Sequence, residues 1–120
     1  RDAAEIDIKK LGIFPLVHGV RALALESRLR PLGTVERVRA LEAAGRIDPA
    51  LARDLVDALR FLIGLKLDNN LRQISAGHPP DNKARLAELG TLDRQALRDS
   101  IAIVRGFKQW LGRHFRFDAL

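Results

Sequence analysis

From residue 14 to residue 114 the apolar positions recur every three or four residues, the spacing of one face of an α-helix. Leu16, Val20, Leu23 and Ser27 form one stripe, widened by Val17 and Ala24, which predicts an amphipathic helix over about 14–29. Pro15 suits its first turn, where a missing N–H costs nothing, and "RPLG" (30–33) stops it. Thr34 is a candidate N-cap for a shorter helix, "VERVRALEAAG", with Val35, Val38 and Leu41 inward and Gly45 just past its end. Asp48-Pro49 is an acidic cap followed by Pro at the first helical position. The helix it opens runs to Ala76, where Gly77 and "HPPDN" end it.

That long helix carries two apolar rows. One is Leu51, Leu55, Ala58, Leu62 and Leu65, and the other is Ala52, Val56, Leu59, Ile63 and Leu67. An apolar face so broad predicts neighbours on more than one side. Gly64 costs about 1 kcal/mol against Ala inside a helix, which predicts close helix packing there. Residues 77–90 read as a loop, and Thr91 caps a last helix reaching about His114, with Asp93 near its positive end. Leu97, Ile101, Val104, Lys108 and Leu111 trace one line along it, with Ile103, Phe107 and Trp110 close beside.

The front of the chain differs. Ile6 and Ile8 alternate with Asp7, a period of two that predicts a short extended piece ending at Gly12. An isolated strand is not stable alone. Residues 1–13 therefore read as an extended lead-in from a preceding domain, paired with a sheet edge elsewhere. The expected fold is all-α: an up-and-down four-helix bundle with a short extended N-terminal segment.

Composition narrows the picture. A chain of 120 residues holds one core, and 47% apolar against 30% charged residues fits a globular domain. It opens on Arg1 and has no Met, which reads as a piece of a longer protein. No apolar run approaches the ~20 residues of a membrane span. The absence of Cys excludes disulfides and thiolate metal sites and fits a reducing cytoplasm. Net charge is +6, and 16 of the 21 cations are Arg, a balance that favours anionic partners. Acids alternate with the bases, as in "RVRALEAAGRIDPALARD", and five Phe and one Trp without Tyr give little for base stacking. Direct nucleic-acid binding is thus disfavoured.

No catalytic centre emerges from the motifs. His18, His78 and His114 do not pair at helical spacing, and no phosphate-binding glycine motif occurs. Ser27, Ser75 and Ser100 lack a nucleophile-elbow setting. Two polar constellations remain. The first is Asp68, Asn69 and Asn70 near the end of the long helix, where Asn69 and Asn70 continue the two apolar rows. Buried amides need partners, since leaving one unpaired costs ~1–3 kcal/mol. Either they bond to the loop backbone around "PPDN" and fix its path, or they form a polar pocket completed by Arg72 and Gln73. The second is Asp7 and Lys9, on one side of the extended piece, with Arg21 two turns into the first helix. Surface ion pairing and a site completed by another domain are the two readings of it.

The order "IDIKKLGIFPLVHGVRALAL", then Thr34 to Arg37, then "LRFLIGLKLDNNLRQISAGHPPDN", then "LGTLDRQALRDSIAIVRGFKQWL" resembles the nucleotidyltransferase substrate-binding domain family. The resemblance runs from Ile6 to about Phe115 and implies a helical bundle. Such domains form the C-terminal part of bacterial signal-transduction proteins that also carry cyclic-nucleotide-binding, CBS and nucleotidyltransferase modules. They are similar to helical domains of uridylyl- and adenylyltransferases that act on nitrogen-regulatory proteins. By the resemblance the catalytic Gly-Ser and paired acids belong to the preceding domain, which would use a nucleoside triphosphate and Mg2+. The matching positions here are Asp7, Lys9, Arg21, Asn70 and Gln73, with Asn70 standing where the family commonly has Gln. The partners implied are that preceding nucleotidyltransferase domain and a protein substrate. The alternative is an interaction or dimerisation bundle, a homodimer among its forms, anchored by Trp110, Phe115 and Phe117.

Overall fold

A computed structural model describes residues 5–119, with side chains as far as Arg116. It is the all-α bundle of four helices that the apolar periodicity predicts, with a short extended segment at its front: α1 (Phe14–Glu26), α2 (Thr34–Ala43), α3 (Pro49–Ser75) and α4 (Thr91–Ala119). Strands β1 (Glu5–Asp7) and β2 (Lys83–Arg85) make a two-stranded ribbon. The core is internal to the chain; Leu16, Leu41, Leu55, Leu62, Leu97, Val104 and Phe107 are essentially inaccessible to solvent. No described helix is long and apolar enough to cross a membrane.

The front of the chain departs from expectation in two ways. Its pairing partner lies in this same chain: β1 runs antiparallel to β2 with Glu5 opposite Arg85, Ile6 opposite Ala84 and Asp7 opposite Lys83. The Ile8 N–H extends the pairing to the Asn82 carbonyl at 2.7 Å. Residues 77–90 are therefore not all loop; three residues with one buried position, Ala84, are too short to show a period of two. Extended backbone also stops at Asp7 rather than reaching residue 13. Asp7 Oδ1 accepts the Lys10 N–H at 2.9 Å, which caps a helical run starting at Ile8.

That run begins as a π-helical turn, Lys9–Ile13, in which the Phe14 N–H donates to the Lys9 carbonyl. Pro15 is the cause we assign. It has no N–H for the Leu11 carbonyl, and its ring presses on that group, so the preceding turn widens. Within this turn Gly12 is buried, where a Cβ would lie 2.8 Å from Leu62 Cδ1 and 3.4 Å from Ile101 Cδ1. One helical face further on, a Cβ at Gly19 would come within 2.5 Å of Leu111 Cδ1 and 2.8 Å of the Phe107 ring. These two glycines let α1 approach its neighbours closely. Gly64, expected to do so, is exposed and has nothing within 4 Å of its missing side chain.

The same contacts set helix directions. Gly12 meets Ile101, Gly19 meets Phe107 and Leu111, and Glu26 Oε1 lies 2.7 Å from His114 Nε2. So α1 and α4 run the same way; α3 runs against both, because its C-terminal half, at Asn69, meets the ribbon that leads into α1. Helix α2, only ten residues long, buries Val38 and Leu41 and covers the first half of α3's second apolar row, Ala52 and Val56. Beyond its reach that row emerges: Ile63 and Leu67 are about half exposed. The prediction of neighbours on several sides of α3 thus holds for its first half.

Helix ends follow local chemistry. Asp48 Oδ1 accepts the Leu51 N–H at 2.7 Å, the expected cap. Gly45 and Gly77 take positive φ of 72° and 79° just past α2 and α3. Thr34 and Thr91 sit one residue inside their helices, since the Arg37 and Arg94 N–H groups reach back to the Gly33 and Gly90 carbonyls. Helix α1 stops at Glu26 rather than 29 because Arg28 turns left-handed, with φ 57°.

Candidate functional site

The polar residues collect where α3 ends and the ribbon crosses the bundle. Asn69, on the core-facing row of α3, is 5% exposed, and its Nδ2 donates to the Lys83 carbonyl at 2.8 Å. One turn on, Gln73 makes a reciprocal pair with Asp81: its Nε2 donates to Asp81 Oδ1 at 2.7 Å and its Oε1 accepts the Asp81 N–H at 3.0 Å. The Lys83 N–H also donates to Asp81 Oδ1. The hydrogen bond from Gln73 and then that from the Lys83 backbone hold the Asp81 carboxyl below the usual carboxylate range, against partial desolvation and with lesser help from the Arg85 and Lys83 charges. Arg85 bridges the two strands' chemistry, 3.3 Å from Glu5 and 3.9 Å from Asp81. Its partners are over 40% exposed, so each pair is worth at most ~1 kcal/mol.

Between α3 and the ribbon lies an open cleft of about 490 Å³, bordered by Arg72, Gln73, His78, Asp81, Arg85 and Glu88. Two guanidinium groups and an imidazole face two carboxylates, so the cleft can hold a ligand with both anionic and hydrogen-bonding groups. Arg72 gives one long hydrogen bond, 3.4 Å, to Asn69 Oδ1 and is otherwise exposed. Among the described residues no three His, Asp or Glu side chains converge as metal ligands.

The residues singled out in the sequence are partly brought together here. Gln73 is in the cleft and Asn70 is not; Asn70 Oδ1 is buried without a partner among the described residues. Asp7 and Lys9 instead border a second, smaller cleft of about 290 Å³ with Lys10, Phe14 and Asn82. Asp7 caps the helix there, and Lys9 Nζ sits 4.8 Å over the Phe14 ring. Arg21 is exposed, twelve residues and hence ~18 Å further along the helix. The amides that fix the loop backbone are therefore Asn69 and Gln73. The loop-fixing and pocket readings of this region coincide, because the bonds that set the loop's path also build the cleft wall.

Asp81, Arg85 and Glu88 escaped the sequence reading. The one signal for Asp81 is its place right after two prolines, opposite an amide one helix end away; nothing local marks Arg85. Trp110 and Phe115 pack against the core, and Trp110 is stacked between Phe107 and His114 at centroid distances of 6.2 and 5.1 Å. Phe117 lies outside the described side chains.

The fold is a four-helix bundle with a polar cleft at its ribbon-bound end. Over residues 1–115 the chain matches the family described as "Putative nucleotidyltransferase substrate binding domain", and it belongs to that family. Comparison with curated proteins and with solved structures finds no match.

Proposed function

We propose that this chain is the accessory domain of a bacterial nucleotidyltransferase of the uridylyl- or adenylyltransferase kind, active in cytoplasmic signal transduction, and that it receives substrate at the ribbon end of the bundle. The nucleoside triphosphate, Mg2+ and the catalytic acids belong, in this reading, to a preceding domain of the same chain, where the metal would neutralise phosphate charge. The observation that carries the reading is the cleft between α3 and the ribbon, whose walls are held by side-chain to backbone bonds from Asn69 and Gln73. A wall fixed before binding orients its ligand without further ordering cost, and orientation accounts for much of the rate in group transfer.

Arg72 and Arg85 supply fork-shaped donors for a phosphate or carboxylate. Lys9, at the second cleft, adds charge. Arg21 lies too far along α1 to share a small ligand with Lys9, so the two act together only on a protein-sized substrate. In the protein containing the catalytic domain, Arg72→Ala should raise KM for the acceptor about tenfold, the loss of one charge-assisted hydrogen bond, and change kcat less. Unchanged kinetics in Arg72→Ala and Arg85→Ala alike would rule out the cleft as the place where substrate binds.

A further inference from the structure

The charged groups of the cleft between α3 and the ribbon differ in how far their partners are already supplied. Asp81 accepts from Gln73 Nε2 and from the Lys83 N–H, and it lies 3.9 Å from Arg85. Arg85 has two carboxylates beside it, Glu5 at 3.3 Å and Asp81 at 3.9 Å, which offset its charge. Apart from these mutually satisfied groups, two remain. Arg72, on α3, makes one long hydrogen bond of 3.4 Å to a neutral amide and has no ion pair among the described residues. Glu88 closes the single turn Leu86–Glu88 that follows β2, and among the described residues it has neither a hydrogen bond nor an ion pair. Both side chains are exposed, so burial fixes neither. The two walls of the cleft thus offer one open guanidinium and one open carboxylate. His78, exposed at the same cleft, adds ring nitrogens that donate or accept.

We propose that this cleft takes a zwitterionic acceptor, a ligand whose anionic group pairs with Arg72 and whose ammonium or guanidinium pairs with Glu88. The inference rests on the functional reading above and names the substrate class for that same site. Charge selects this class over a polyanion such as the triphosphate of a nucleotide. The cleft is lined by as many carboxylates as guanidiniums, and Glu5 stands beside Arg85 as a third carboxylate. With His neutral the cleft therefore has no excess of positive charge, although the whole chain carries +6. A polyanion on Arg72 would meet Asp81 and Glu88 in the same cleft, and like charges brought together cost affinity. A ligand with an anion alone leaves Glu88 without a partner, and one with a cation alone leaves Arg72 without one. A zwitterion serves both. The volume of about 490 Å³ falls in the range of small-molecule sites. The planar fork of Arg72 suits a carboxylate or a phosphate as the anionic end.

The test is an amide NMR titration of the 120-residue chain at about pH 8, where a free imidazole is neutral. The probes are ω-amino acids of increasing length, from aminobutyrate to aminooctanoate. Hexanoate serves as the anion alone, hexylamine as the cation alone and tripolyphosphate as the polyanion. The expected result is that at least one ω-amino acid shifts Arg72, His78 and Glu88 and binds about fivefold tighter than hexanoate or hexylamine, the factor that one exposed ion pair supplies. Glu88→Gln should bring that amino acid down to the level of hexanoate, and Glu88→Lys should turn the preference towards tripolyphosphate. Hexanoate or tripolyphosphate binding here as tightly as every amino acid overturns the proposal. So does silence of these amides towards all the amino acids, or an affinity that Glu88→Gln leaves unchanged. In the protein that includes the catalytic domain, Glu88→Gln should raise KM for the acceptor as Arg72→Ala does. If Arg72→Ala raises it and Glu88→Gln does not, the cleft stands as the substrate site and the zwitterionic class falls. If neither these nor Arg85→Ala changes the kinetics, both fall.

Discussion

Replacing Asn69 by Leu tests how the ribbon is held to the bundle. Asn69 is 5% exposed and donates at 2.8 Å to the Lys83 carbonyl, in the middle of the ribbon–helix contact. Leu keeps the branched shape and is bulkier, so no cavity forms; the main effect is a carbonyl left without its donor, and any crowding adds to it. The unpaired carbonyl costs ~1–3 kcal/mol. For a domain of this size each kcal/mol lowers the thermal midpoint by roughly 3–6 °C. Urea unfolding should show the loss as a lower midpoint with an unchanged slope, since the surface exposed on unfolding is the same. The effect should also be local. A three-residue ribbon has no stability of its own, so exchange of the Ile8 amide, which donates to Asn82, should speed up more than that of mid-α4 amides. Asn69→Asp should be worse, because it removes the donor and places a carboxylate against a carbonyl oxygen. An Asn69→Leu protein with the parent's midpoint and the parent's ribbon exchange would refute this account of the ribbon's attachment.

Further outcomes follow from single contacts. Gly19→Ala should destabilise by ~1–3 kcal/mol, because its Cβ would lie 2.8 Å from the buried Phe107 ring, whereas Gly64→Ala, with nothing within 4 Å, should stabilise by up to about 1 kcal/mol; urea midpoints decide both. Asp81 is held below its ordinary carboxylate value, so its contribution to stability is present above its unfolded pKa and lost as pH falls through the lower folded one. Below about pH 4 the loop around Asp81 should loosen, and Asp81→Asn should flatten that acid limb of the stability–pH curve. Gln73→Ala removes both bonds to Asp81 and should mobilise residues 77–82, seen as faster amide exchange there with α1 unaffected.

Much of this fold is written in local signals. The i, i+3, i+4 rows of α1, α3 and α4 are long enough to be unambiguous, and Asp48, Gly45 and Gly77 mark helix ends by chemistry that acts within one turn. What escapes is non-local. Residues 83–85 form a strand only because Glu5–Asp7 lie beside them, and three residues cannot carry a periodic pattern. Pro15, a residue that elsewhere opens helices, here sits inside one, and the chain absorbs it with a wider turn. Gly64 and Gly19 look alike in sequence; only the partner helix, present at one and missing at the other, separates them. At the site, the polar trio and Gln73 were visible because amides are conspicuous in apolar rows. Asp81 and Arg85 were not, since their role depends on where the seven residues between α3 and β2 return the chain.

The most direct test of the central claim follows the amide NMR spectrum of this chain, labelled within the protein that includes the catalytic domain, as nucleotide, Mg2+ and acceptor substrate are added. Shifts concentrated at Asn69, Arg72, Gln73, Asp81 and Arg85, with Lys9 at the second cleft, are the expected result. A ribbon end that stays silent while substrate is bound and turned over would contradict it.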